Sequence, residues 1–133
     1  MEKWEEVFKG KIPKGNYQTS LLYGEEKGLI IELFNAEKKI CIDFGIVYAV
    51  RILDEGIVQS TLYSKTEIEK YKISNFSNVI YEIHNGEFND WIYKITDSYG
   101  RQVCKHHYIV VTMNYNIDII TEYPPIFKVY SNK

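Results

Sequence analysis

The sequence predicts an α+β fold: a mostly antiparallel, twisted β-sheet of about six to eight strands with two or three short helices. Three observations lead to this prediction. Short β-rich runs follow one another along most of the chain, turn residues separate them, and only a few segments show helical spacing. A length of 133 residues is typical of one domain, so we expect 1–133 to form a single unit.

The strand predictions rest on alternation of apolar and polar residues and on dense apolar runs of strand length. Gly45 is expected to form a bulge or bend between two of them. Pro124-Pro125 interrupts the ladder because proline has no backbone N–H to donate, so the run that follows is expected at a sheet edge. The predicted strands are Tyr17–Tyr23, Leu29–Phe34, Ile40–Phe44, Val47–Leu53, Ile57–Tyr63, Val79–His84, His107–Met113, Ile117–Thr121 and Ile126–Tyr130.

Two short helices are predicted between Lys3 and Tyr71. Lys3–Lys9 places Trp4, Val7 and Phe8 at helical spacing, which predicts an amphipathic helix docked on the core. Ser64-Lys65-Thr66-Glu67 has the spacing of a capping box, in which the serine and the glutamate satisfy free N–H groups at a helix start. We expect that helix to end near Tyr71.

The segment 86–97 allows two interpretations. Asn85-Gly86 is a strong hairpin signal, which would make this segment the second arm of a hairpin. Its apolar residues nevertheless recur at helical spacing, and Asn85 could cap a helix there. We favour the helix and expect Trp91 to pack in the core with Phe88; the apolar positions are Phe88, Trp91, Ile92 and Ile95.

Composition and charge argue against several classes of protein. The net charge is −2 and the pI about 5.9, with the charges spread evenly, whereas nucleic-acid binders usually carry a basic stripe. The N-terminal residues do not resemble a signal peptide, and no apolar run approaches the length of a membrane span. We therefore expect a cytoplasmic protein with no nucleic-acid partner and no membrane contact.

Residues that could support catalysis or metal binding are few. His106 and His107 are neighbours and should point to opposite faces of a strand, so a metal site that adds His84 with Asp118 or Glu122 is not favoured. Cys41 and Cys104 are expected to be buried, free and structural. The acid pairs Asp54-Glu55 and Glu25-Glu26 lie in predicted turns. The sequence thus predicts no catalytic residue, no metal and no cofactor.

Twelve tyrosines, six phenylalanines and two tryptophans are the most unusual feature of the composition. Tyrosine buries apolar area while its hydroxyl seeks a polar partner, and it is enriched at protein interfaces. A coding bias toward Tyr, Ile, Lys and Asn would also explain the abundance. The candidate partner-binding residues, tyrosines outside the predicted core and turn acids, are Tyr93, Tyr99, Tyr115, Tyr123, Asp54 and Glu55.

The second half of the chain joins Val79–His84 to Asn85-Gly86-Glu87-Phe88 and Trp91-Ile92, followed by His107–Thr112, Ile117–Ile120 and Glu122-Tyr123-Pro124-Pro125. With Phe44–Leu53 and Asp54-Glu55-Gly56 upstream, this pattern resembles small bacterial immunity proteins encoded beside polymorphic or contact-dependent toxins. The resemblance covers roughly 29–129. It implies a non-catalytic protein that binds one cognate toxin domain and blocks it, and it assigns no binding residue.

Two other functions stay open. A small-ligand-binding domain or minor enzyme would have an apolar pocket between the sheet and the helix Phe88–Ile95, with convergent His, Tyr and carboxylate groups. A homo-oligomer would bury its tyrosines against a second copy, so the chain is expected as a monomer or a homodimer.

Overall fold

The computed structural model describes residues 1–54, 62–96 and 104–131. These residues contain nine strands and two helices. In chain order they are β1 (Lys3–Glu6), β2 (Gln18–Gly24), β3 (Gly28–Phe34), β4 (Lys38–Gly45), β5 (Ala49–Asp54), α1 (Lys65–Lys72), β6 (Ile80–His84), α2 (Glu87–Ile95), β7 (His106–Val111), β8 (Tyr115–Thr121) and β9 (Ile126–Ser131).

The strands form two antiparallel sheets. A five-stranded sheet has the order β1-β6-β7-β8-β5, and a four-stranded sheet has the order β2-β3-β4-β9. The α+β class is therefore confirmed. The expected number of strands was too low, since the described residues form nine strands rather than six to eight, and they make two sheets rather than one.

The main core lies between the two sheets. Alternate side chains of β3 and β4 face alternate side chains of the five-stranded sheet, as the period of two in a strand requires. Burying these branched aliphatic side chains on both inner faces is what holds the sheets together. The fully buried members include Leu29, Ile31, Leu33, Ile40, Ile42, Ile80, Tyr108, Val110, Ile117 and Ile119.

The helices cover the other face of the five-stranded sheet. Ile68 and Tyr71 of α1 pack on a second apolar cluster that contains Trp4, Tyr81 and Ile109. Phe88 and Ile92 of α2 pack on Ile120 of β8 in a third cluster. The layers are thus the four-stranded sheet, the five-stranded sheet and the helices.

The predicted N-terminal helix at Lys3–Lys9 is wrong, because Lys3–Glu6 forms strand β1 and pairs with β6. Trp4 lies opposite Ile83 and packs on the helix side of the sheet, whereas Val7 and Phe8 pack against the core between the sheets. A helix would have placed these three side chains on one face, whereas the structure places them on both sides of the sheet. Phe8 has φ 55°, and this left-handed residue turns the chain after the strand.

Helix α1 begins as predicted but uses only half of the capping box. Ser64 Oγ accepts a hydrogen bond from the Glu67 backbone N–H at 3.4 Å. The Glu67 carboxylate instead accepts from the Trp4 backbone N–H at 2.8 Å, and the Ser64 N–H donates to Glu2 at 2.7 Å. The N-terminal strand therefore takes over the glutamate's partner and fixes α1 to the sheet.

The helical interpretation of 86–97 is confirmed by α2, but two of its details are wrong. Gly86, not Asn85, is the N-cap, and Asn85 adopts a left-handed φ of 60° while its side-chain amide donates to Met1 O. Trp91 is 57% exposed rather than packed in the core, and Ile95 is exposed too. Only Phe88 and Ile92 reach the sheet.

The remaining strand predictions agree with the structure where it describes them. The β3–β4 register shifts beside Gly45, which has φ 65°, and β9 is an edge strand paired with β4. The predicted strand Ile57–Tyr63 lies mostly outside the described residues, and Tyr63 itself is not in a strand. Neither described helix has the length and apolar character needed to cross a bilayer.

Candidate functional site

A polar network is buried on the helix side of the five-stranded sheet, in the middle of an otherwise apolar layer. Its centre is Asp118 of β8, which is fully buried. Arg51 is the direct cross-strand partner of Asp118 on β5. His107 lies on the adjacent strand β7, and Tyr63 reaches the network from the segment that precedes α1. Four separate parts of the chain therefore meet at one carboxylate.

Both oxygens of Asp118 are engaged. Oδ2 accepts from Arg51 Nε at 3.0 Å and from Tyr63 Oη–H at 2.5 Å, and Arg51 Nη2 lies 3.0 Å from the same oxygen. Oδ1 is 2.7 Å from His107 Nε2. Hydrogen bonds of this kind, with at least one charged group, are about twice as strong as neutral ones. The carboxylate is thereby compensated by a cation and by neutral donors.

The guanidinium of Arg51 is also held by aromatic rings. It lies 5.3 Å from the centroid of Tyr63 and 4.6 Å from that of Phe88 on α2, within the range of cation–π attraction. Burial, followed by the charge of Asp118, raises the pKa of the Tyr63 phenol. Tyr63 therefore stays protonated and acts as a donor, and Phe88 connects the network to α2.

His107, the remaining member of the network, lies in a buried position. His107 Nε2 contacts Asp118 Oδ1, so its other ring nitrogen, Nδ1, takes no part in the contact with the carboxylate. That nitrogen is buried without a hydrogen-bond partner among the described residues. A Cβ placed on Gly86 would lie 2.8 Å from it, so the backbone of the α2 N-cap occupies this space.

The burial of the network decides what it can do. The exposed fraction is 2% for His107 and 0% for Asp118, so neither reaches a substrate from solvent. An Asp–His pair in a catalytic site needs a reacting group next to the imidazole, and here the facing group is the Gly86 backbone. The network therefore joins β5, β7, β8, α2 and the start of α1 as a structural element.

The two cysteines are half-buried rather than fully buried as expected. Burial raises the pKa of the Cys41 thiol, and the neighbouring carboxylates of Glu32 and Asp43 add to the effect. Burial likewise raises the pKa of Cys104, against an opposing hydrogen bond from Thr96. The thiolate is the nucleophilic form, so neither environment activates a cysteine.

The histidines are distributed as their order in the chain predicts, on opposite faces of β7. His106 Nδ1 pairs with Glu82 at 2.7 Å, while His107 belongs to the buried network. His84 pairs with Glu5 at 3.0 Å. The ligand-type atoms of Glu5, Glu82 and His84 lie within 4.8 Å of one another; in this group His84 pairs with Glu5, and Glu82 pairs with His106 outside it.

The predicted partner-binding residues that the structure describes lie near the two ends of β8 and on α2. Asp54 is exposed at the end of β5 and pairs in register with Tyr115, which is half-buried against the main core. Tyr123 is exposed beyond the other end of β8, and Tyr93 is exposed on α2. Tyr99 and Glu55 lie outside the described residues.

An exposed apolar surface that the sequence did not predict lies on α2. Trp91 and Ile95, one turn apart, are both exposed although they continue the apolar face that Phe88 and Ile92 bury. We call Trp91 and Ile95 the α2 surface. Spacing alone placed all four residues on one apolar helix face and predicted that Trp91 packs in the core with Phe88, because spacing does not show which of these residues contact the sheet.

A cavity of about 540 Å³ lies between α1, the β7–β8 hairpin and the loop before β2. Sequence reasoning placed a pocket beside α2, but Phe88 and Ile92 pack closely on Ile120 there. The cavity has apolar and polar walls, and no single motif signals it in the sequence. Its lining is Trp4, Gly15, Asn16, Tyr17, Lys65, Ile68, Lys72, Asn75, Phe76, Val79, Val111, Thr112, Met113 and Asn116.

Comparison with known proteins adds no relationship. No protein-family model, no curated protein and no solved structure matches this chain.

Proposed function

We propose that this protein is a non-catalytic immunity protein that binds a cognate bacterial toxin domain in the cytoplasm and neutralises it by covering its active surface. The resemblance described above supports the class. The observation that carries the proposal is the α2 surface: a tryptophan 57% exposed next to an exposed isoleucine on a helix held firmly to the sheet.

An exposed tryptophan on a rigid helix is a typical energetic centre of a protein interface. Tryptophan is enriched among the residues whose truncation costs most binding energy. Phe88 anchors the helix from below through Ile120 and through the Arg51 guanidinium. A rigid surface loses little conformational entropy on binding, so the buried network supports the proposed interface without entering it.

Charge plays a smaller part in this proposal. The α2 first turn carries Glu87 and Asp90, and the chain has a net charge of −2. This sign suits a basic partner such as a nuclease domain, but the steering it provides is modest. Affinity would come mainly from apolar contacts.

The test begins with the tagged chain expressed in its native host, followed by identification of the proteins it retains. We expect stoichiometric recovery of a toxin domain encoded next to this gene. Co-expression with the intact chain should then protect cells from that toxin. Recovery of this chain alone would overturn the proposal and favour self-association. Recovery of a toxin from which the chain gives no protection would also overturn it.

Two matched variants locate the interface. Trp91→Ala should abolish protection while the free energy of unfolding stays within about 0.5 kcal/mol of wild type, as is usual for exposed positions. Tyr23→Ala removes a ring of similar exposure, 60%, from strand β2 of the other sheet and should protect normally. Full protection by Trp91→Ala would show that the α2 surface is not the toxin-binding surface.

A further inference from the structure

The cavity beside α1 has a floor that is closed and a mouth that is polar and positively charged. Trp4, Tyr17, Val79 and Asn116 are buried and form the floor. The two lysines of the lining, Lys65 and Lys72, are exposed on α1 and mark the mouth. A volume of about 540 Å³ is in the range of small-molecule sites.

One buried polar atom in the floor lacks a partner. Asn116 is 8% exposed and lines the cavity, and its Oδ1 has no hydrogen-bond partner among the described residues. Buried acceptors are nearly always satisfied in folded proteins, by protein groups, water or a ligand. An unpaired oxygen in a cavity wall therefore identifies a position for a donor that enters from outside the chain.

The charge of the lining selects the sign of the ligand. No aspartate or glutamate belongs to the described lining, whereas two lysines do. Within the described part of the chain, neither lysine forms an ion pair; the ion pair on α1 uses Lys70 and Glu67 instead. The two ammonium groups are thus available for an anionic group at the mouth.

The apolar and aromatic part of the lining joins two residues of the floor to three residues of the walls. These are Trp4 and Val79 of the floor and Ile68, Phe76 and Val111 of the walls. Phe76 and Val79 both have left-handed φ values, 53° and 67°, which L-residues rarely adopt. The backbone of this segment is held there by the Val79 N–H bond to Phe76 O and by the Val111 N–H bond to Val79 O, so the wall is fixed before any ligand arrives.

From these contacts we infer that the cavity is a binding site for a small aromatic carboxylate that carries a hydroxyl donor. The carboxylate lies at the mouth near Lys65 and Lys72, the ring packs between the apolar walls, and the hydroxyl donates to Asn116 Oδ1. This inference is independent of toxin binding, since the α2 surface and the cavity lie on different helices.

The probe is para-hydroxyphenylacetate, which has the three groups in this order. Trp4 lines the cavity, and the chain has one other tryptophan, Trp91. In a Trp91→Phe background, tryptophan fluorescence, excited selectively over the tyrosines and the phenolic probe, therefore reports on Trp4 alone. We expect saturable binding with a Kd of about 1 mM or tighter, the level a ligand of this size can reach.

Two related compounds separate the contributions of the ligand groups. Phenylacetate lacks the hydroxyl donor, and para-hydroxyphenylacetamide lacks the negative charge. Each should bind at least about tenfold more weakly than para-hydroxyphenylacetate. Binding of the acid should also weaken as salt is added, because the lysines are exposed. Absence of saturable binding by para-hydroxyphenylacetate, or equal binding of the acid and its amide, would overturn the inference.

Variants test the protein side. Asn116→Leu should raise the Tm, since it removes an unsatisfied buried acceptor, and should weaken binding about tenfold; a merely structural asparagine would not show this opposition. Lys65→Gln with Lys72→Gln should weaken binding of the acid but not of the amide. Lys38→Gln with Lys128→Gln, on strands β4 and β9 and outside the cavity, also removes two positive charges and is the charge-matched control. Unchanged affinity in both the asparagine and the lysine variants would refute the site.

Discussion

The buried network around Asp118 gives the sharpest prediction of stability. We expect Asp118→Asn to lower the free energy of unfolding by about 3–5 kcal/mol, the range for breaking a buried charge pair from one side. The substitution keeps the shape of the side chain but removes the charge that neutralises Arg51. It also replaces one acceptor oxygen by an N–H₂ group, which then faces the donors of Arg51, Tyr63 or His107.

The magnitude follows from the contacts. Asp118 is fully buried and accepts from three residues, so the substitution leaves several donors unsatisfied at once. Arg51→Met is expected to cost a similar amount, about 3–5 kcal/mol, because it leaves the carboxylate of Asp118, whose side chain is 0% exposed, without its cation. The double variant should cost less than the sum of the two, since it removes both charges of the pair.

Urea denaturation, followed by far-UV circular dichroism and by tryptophan fluorescence, measures these values. Domains of this size have total stabilities of about 5–15 kcal/mol, so the expected loss is readily detected. Conservative variants elsewhere on the same sheet face, such as Ile109→Val, should cost only about 0.5–1.5 kcal/mol. A cost below about 1 kcal/mol for Asp118→Asn would refute our view that the network holds α2 and the start of α1 on the sheet.

Two further predictions concern packing and thiol chemistry. Gly86→Ala should destabilise the fold by about 1–3 kcal/mol, because the added Cβ would lie 2.8 Å from His107 Nδ1 and from Ile83 Cγ2. The control is Gly24→Ala, whose added Cβ meets nothing within 4 Å. This control should change the free energy of unfolding by no more than about 0.5 kcal/mol. Iodoacetamide should alkylate Cys41 and Cys104 more slowly at neutral pH than it alkylates free cysteine. The reason is that burial raises the pKa of both thiols, and the thiolate is the reactive form. For the same reason, the alkylation rate should still rise above pH 9. Mass spectrometry of native and urea-unfolded samples measures the rates, and a plateau below pH 8 would contradict the stated environments.

Local patterns in the chain were sufficient for most of the secondary structure. The two-residue period in Val79–His84 identified β6, and the β-rich composition of Ile117–Thr121 identified β8, because both signals lie within a few consecutive residues. Ser64 identified the start of α1, since the capping bond lies within four residues. Helical spacing identified α2 despite the competing hairpin signal.

Patterns that depend on a distant partner were misread. Trp4, Val7 and Phe8 have helical spacing, yet pairing with β6 sends them to opposite sides of a sheet. Trp91 shares the apolar face of α2, but it is 57% exposed, whereas Phe88 and Ile92 of the same helix pack on Ile120 of the sheet. Periodicity states which residues share a face and not what that face contacts.

The sequence by itself determined the fold class, the positions of most strands along the chain and both helices of the described residues. These features follow from interactions within a few residues. Only the tertiary structure decided the division into two sheets, the convergence of Arg51, Tyr63, His107 and Asp118, and the cavity at Asn116. Contacts between residues more than fifty positions apart, such as Arg51 with Asp118, leave no spacing in the chain. Their physical origin is the register between strands, which is settled when the two sheet faces bury their apolar side chains together.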